Sequence, residues 1–163
     1  MDTVIKHRKK LLRTYKSSKS SVDVINSAKE LAVAVLHNPK LIPKHKRKIL
    51  SEVQWLISEV DGKYSTRYRS KLVVDLAASP SDSAEKIQHE HVVARKEITA
   101  QLLADPDNAA RILDQVVACV VAKSEHDRLA GSGSGWNRYK EAGIVVYDMS
   151  TTPPSHLDFT KRT

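Results

Sequence analysis

Apolar residues at helical spacing are the pattern that most narrows what this chain can fold into. Val24, Ile25, Ala28, Leu31, Ala32, Val35 and Leu36 line one broad face, and only a helix buries such a set together. Ser20 can cap it with Asp23 three positions on, and Asn38-Pro39 stops it, so the spacing predicts a helix over about 21–37. Pro43 suits the first turn of a second helix carrying Ile49, Leu50, Val53, Leu56, Ile57 and Val60 on one side, with Gly62 as terminator. Trp55 projects away from that stripe, towards a second neighbour or solvent. Ile87, His91, Ala94, Ile98 and Leu102 form a third stripe, which predicts a helix over Ile87–Leu103 with Ser83 as its cap. Leu72–Ala78 continues as helix, and Asp105-Pro106-Asp107 starts another through Ala109, Ile112, Leu113 and Val116.

Strand signals are confined to the C-terminal third. Val116–Ala122 is a β-branched run that reads as a short strand from about Cys119, and Ile144–Tyr147 is its expected partner. Between them, Ser124–Leu129 reads as a capped helical turn, Gly131–Gly135 as a flexible loop, and Trp136–Ala142 as a short helix ended by Gly143. Ser79–Ser83 is a further loop. The expectation is a mainly α protein: a single helical domain over 21–148 with a small two-stranded β element near its C-terminus. A basic N-terminal arm or helix precedes it over 1–20, and a flexible tail follows over 149–163.

Charge is distributed unevenly. Residues 1–71 hold 17 Lys and Arg against 6 Asp and Glu, whereas residues 72–163 hold 10 against 13. A basic half attracts polyanions through phosphate contacts and counterion release. The cations gather in three blocks: the N-terminal arm, Lys44-His45-Lys46-Arg47-Lys48, and Lys63–Lys71. The second block loads the start of a helix, where cations oppose the dipole at a cost of roughly a few tenths of a kcal/mol each. In the third, Lys63, Arg67, Arg69 and Lys71 alternate with Tyr64 and Tyr68 and with hydroxyls. Guanidinium groups grip phosphate and tyrosine rings offer stacking faces. Nucleic acid is therefore the expected partner, with a protein partner as the alternative. No apolar run reaches the ~18–20 residues a bilayer span needs, and no apolar segment follows the basic N-terminus. The lone Cys119 fits a reducing compartment, so the expected location is the cytoplasm, away from membranes.

Gln88–Lys96 concentrates the groups able to move protons. His89, Glu90, His91 and Arg95, with the later His126, are the candidate catalytic set, since metal-free phosphodiester chemistry needs a proton-transfer group and cations for developing charge. On a strand His89 and His91 would share a face; on the helix favoured by the stripe, His91 would pair with Arg95. One cysteine and no CxxC exclude a Cys-rich zinc site. His89 and His91 could supply two ligands only from an extended backbone, with His126 and Asp127 completing the set, so no metal ligands are assigned and the cofactor is left unknown, a divalent metal being possible. The rival reading makes the same histidines structural in a non-enzymatic module that binds nucleic acid or a host or defence protein. A pure scaffold is the third alternative.

Three strings carry a resemblance: His89-Glu90-His91-Val92-Val93-x-Arg95-Lys96, Cys119-Val120-Val121 followed by Glu125-His126-x-x-Leu129, and Trp136-x-Arg138-Tyr139-x-x-Ala142-Gly143-Ile144. With Trp55, Gly62-Lys63-Tyr64 and Arg67-Tyr68 upstream, the chain resembles a set of small uncharacterised bacterial and phage proteins over about residues 45–147. That resemblance points to a bacterium or mobile element and implies no activity. More loosely, the His-Val motif and later Glu-His-x-x-Leu are similar to HNH (His-Me finger) nucleases. This implies His91 as general base, His126 as metal ligand and Asn108 as the middle asparagine. The Gly-Gly and zinc-knuckle cysteines of that family are absent.

Overall fold

The computed structural model describes residues 2–79, 83–131 and 133–159. The chain forms two compact units, one from residues 1–16, 62–92 and 118–163, the other from residues 17–61 and 93–117.

The first unit is built on a sheet, which overturns the expected all-helical domain with two late strands. Among the described residues five strands run through it: β1 (Tyr68–Ser70), β2 (Ile87–His91), β3 (Ala118–Ala122), β4 (Val146–Asp148) and β5 (Ser155–His156), in the order β2-β3-β1-β4-β5. β1 and β3 are parallel; the other pairings are antiparallel. The expected pairing of the last strand with residues 119–122 is also corrected, because β1 lies between β3 and β4.

Helix α1 (Val4–Leu12) and helix α4 (Lys71–Ala78) cover one face. Val4, Leu11, Val73 and Ala77 meet Ile87, Val120 and Ala122 of the strands there, with Tyr64 from a preceding turn. The basic N-terminal stretch is thus a packed helix over much of its length, with Val4 and Leu11 buried and Lys6, Lys9 and Lys10 exposed. On the opposite face, α7 (Lys123–Leu129) and α8 (Asn137–Glu141) bring Leu129 and Tyr139 into the interior, and Trp136 packs edge-on against Tyr68 at 5.0 Å. Gly143 ends α8 with a φ of 64°, the left-handed conformation that a side chain disfavours. Part of the expected loop at 79–83, Ser132, and the end of the expected tail lie outside the described residues.

The second unit is helical. It comprises α2 (Lys19–His37), α3 (Pro43–Ser58), α5 (Arg95–Ala104) and, after a 3₁₀ turn at Pro106–Asn108, α6 (Ala109–Leu113). Ser18, rather than Ser20, caps α2 by accepting from the Ser21 amide at 3.0 Å. The core joins Ala28, Ala32, Val35 and Leu36 to Leu50, Val53, Ile57, Ile98, Leu102, Ile112 and Leu113. Each fully buried aliphatic side chain in it contributes about 1.5–3 kcal/mol. Buried Gln54 ties α3 to α5 by donating to Thr99 Oγ1 at 2.9 Å and to Leu50 O at 3.2 Å. α6 ends at Leu113, short of the expected Val116.

The expected helix over Ile87–Leu103 divides into two elements. Residues 87–91 are a strand with alternating burial, and the helix begins only at Arg95. The inward positions of β2 are Ile87, His89 and His91. Two imidazoles stand where alternation is ordinarily announced by aliphatics, so the period-two pattern is concealed.

Candidate functional site

Two clusters are candidates, one in each unit. The first is the histidine stretch. Because β2 is extended, its side chains alternate, and the sheet separates the set expected to act together. His89 and His91 lie on one face with ring centroids 5.4 Å apart; Glu90 points to the other. His89 Nδ1 lies 2.6 Å from the Lys63 carbonyl oxygen, which only accepts, so Nδ1 carries the proton. Both rings are buried.

On the opposite face Glu90 Oε1 accepts from Arg138 at 2.6 Å, and Oε2 lies 3.2 Å from His126 Nε2. Arg138 also donates to the His91 carbonyl at 2.6 Å, clasping the edge strand to α8. His126 Nδ1 is turned to Asp127 at 3.7 Å and is buried. Glu125, the neighbouring acid, accepts from the Ala122 amide at 2.9 Å. Burial holds its carboxyl above the usual range, against hydrogen bonds from Ser70 and Ala122. Cys119, opposite Glu90 in β3, is fully buried, and burial pushes its thiol well up, away from the reactive thiolate. Among the described residues, no group of three or more His, Cys, Asp and Glu side chains is arranged to hold a metal ion. These contacts do chemically coherent work as struts. The asparagine carried over from HNH nucleases, Asn108, belongs to the second unit, where its amide donates to Asp105 at 2.8 Å.

The third cationic block is largely engaged within the first unit. Tyr64 donates to Asp2 at 2.6 Å, Tyr68 is buried against Trp136, and Arg67 grips Asp148 through two nitrogens at 2.6 and 3.0 Å. Arg69 is 1% exposed and donates to Arg13 O at 2.9 Å, Thr66 O at 3.2 Å and Leu11 O. Lys71 pairs with Asp75, and exposed Lys63 lies 5.6 Å from the Tyr64 ring.

The second cluster belongs to the helical unit, and Arg95 is part of it. Lys44, then the adjacent Arg47 and Lys48, then Ser51 and Trp55 follow at steps of three or four residues along α3 and form one ridge. Lys46 instead donates to the Leu36 carbonyl in the last turn of α2 at 2.5 Å, a favourable place for a cation. Between α3 and α5 lies a groove of about 700 Å³ lined by Arg47, Ser51, Arg95, Lys96, Thr99 and apolar residues of α5. Arg95 donates to Ser51 Oγ at 2.8 Å and lies 4.5 Å from the centre of the Trp55 ring. That cation–π contact contributes about 0.5–1 kcal/mol where solvent reaches it. Among the described residues, no carboxylate pairs with Arg47, Arg95 or Lys96, and none lines the groove. Sequence reasoning singled out Arg95 as a partner of His91. The signal for its actual setting was Trp55, an aromatic off the apolar stripe and in need of a neighbour.

No family model, no curated protein and no solved structure matches this chain, so the reading of these two clusters rests on their chemistry.

Proposed function

We propose that the protein binds nucleic acid by its phosphates, through the cationic ridge of α3 and the groove between α3 and α5, without cleaving it. The observation that carries this reading is the gathering of Arg47, Arg95 and Lys96 on one groove that, among the described residues, no acid lines. Like charges brought together repel, and an arrangement without an internal counter-charge is stabilised by an external anion. Ser51 and Thr99 add hydroxyls of the kind that bond phosphate oxygens. The non-enzymatic half draws on the histidines: His89 is bonded to a backbone carbonyl, and His126 faces Glu90 and Asp127.

Fluorescence anisotropy with labelled DNA and RNA oligonucleotides at low salt tests this. The Arg47→Glu/Lys96→Glu double variant should bind at least about tenfold more weakly, since each lost phosphate contact costs on the order of 1 kcal/mol. Its thermal melt should match wild type, because Lys96 is exposed and Arg47 is on the surface of α3. Failure of the wild type to bind either nucleic acid would overturn the proposal. So would Mg²⁺- or Mn²⁺-dependent cleavage lost in a folded His126→Ala variant.

A further inference from the structure

The anion groove has a neighbour on α3. Val24, Glu52, Trp55, Leu56, Glu59 and Val60 line a second groove, of about 420 Å³, between α2 and α3. Its floor is apolar, and two carboxylates stand at it. The grooves adjoin, because Trp55 lines one, Arg95 lines the other, and the two side chains stack at 4.5 Å. Across that stack the chemistry changes sign: three cations on the α5 side, two acids over an apolar surface on the α2 side.

A ligand that suits both grooves is anionic at one end, and flat, apolar-faced and hydrogen-bond-donating at the other. We infer that the pair holds one nucleotide of a single strand. Its phosphate lies among Arg47, Arg95 and Lys96, and its base lies in the α2–α3 groove against Trp55, its exocyclic amino group bonded to Glu52 or Glu59. This rests on the proposed phosphate binding and names the class of nucleic acid that the site takes. A carboxylate only accepts hydrogen bonds, so it favours cytosine N4–H₂ and other amino-bearing bases and leaves the carbonyl edge of thymine or uracil unsatisfied. The acids also repel phosphate, which fixes the direction of the nucleotide across the stack. A base is available to such a groove only when it is unpaired, which excludes an intact duplex.

The test uses labelled dodecamers of deoxycytidine, deoxythymidine, cytidine and uridine and a mixed-sequence duplex, titrated into the full-length protein. The cytosine oligomers should bind about fivefold or more tightly than the thymine and uracil ones, a modest share of one good base contact. They should also bind more tightly than the duplex. Glu52→Gln/Glu59→Gln should erase the preference for cytosine, and Trp55→Leu should weaken cytosine oligomers by roughly tenfold, the scale of a lost stacking platform. DNA and RNA arms together decide whether the sugar matters. Equal affinity for cytosine and thymine, or tighter binding of the duplex, would overturn the inference. If the Arg47→Glu/Lys96→Glu variant still lost binding in that case, phosphate recognition would stand. No binding of any oligomer would remove both.

Discussion

Arg69 occupies the middle strand of the sheet, at a position where the surrounding rows hold Val120 and other buried side chains. Its guanidinium donates to carbonyls of Leu11, Arg13 and Thr66, so it closes the C-terminal end of α1 onto the sheet. Burial lowers its pKa to about 10, still far above neutrality, so the group stays charged in the interior. Replacing it with methionine keeps an unbranched side chain but strands those acceptors. The expected loss is about 2–4 kcal/mol, read as a lower urea midpoint with an unchanged m-value. A variant as stable as wild type would show that water satisfies the carbonyls. In the sequence this residue is one cation among several, and composition gave no sign that it faces inward. Only the identity of its neighbours across the sheet tells a strut from a phosphate contact.

At the level of elements, the join between β1 and β4 depends on Asp148. Its carboxylate is held at about 2: burial pushes it up, but bonds from Arg67 and from the Ser150 amide and hydroxyl outweigh that. A carboxyl depressed from an unfolded value near 3.8 contributes stability that is fully present above pH 4 and fades as pH falls towards 2. The shift corresponds to roughly 2 kcal/mol. Asp148→Asn should therefore cost about that at pH 7, and the gap from wild type should close between about pH 4 and pH 2; a gap independent of pH would refute it. Helices in both units were largely legible. Pro43 opens α3 and Gly143 closes α8 as their chemistry requires, and α2 falls within two residues of the expected start. β3 was legible because all five of its residues are buried and apolar. β1 and β2 were not. β1 is three residues long, reads Tyr-Arg-Ser, and borrows its extended form from strands distant in sequence; β2 places histidines where aliphatics announce a strand.

For the molecule as a whole, the formal charge of +8 conceals how many cations are free to meet a polyanion. Arg67, Arg69, Lys71 and Arg138 are engaged internally, whereas Lys44, Arg47, Lys48 and Lys96 present charge from the helical unit. Affinity for a single strand should fall with salt, with a log–log slope of about −0.7 per phosphate neutralised. Removing Arg47, Arg95 and Lys96 together should flatten that slope by about 2, whereas removing Lys63 and Lys71 should leave it within about 0.5. A slope indifferent to the groove would place the phosphates elsewhere. The order of assembly follows from a topology in which β1 pairs with a strand some fifty residues later. Every residue of the helical unit leaves the ribosome before the first residue of β3 does. During synthesis β1 and β2 are therefore left with unsatisfied edges until the final third of the chain arrives. The growing polypeptide is most exposed to strand-mediated aggregation in that interval, and chaperone dependence should concentrate there.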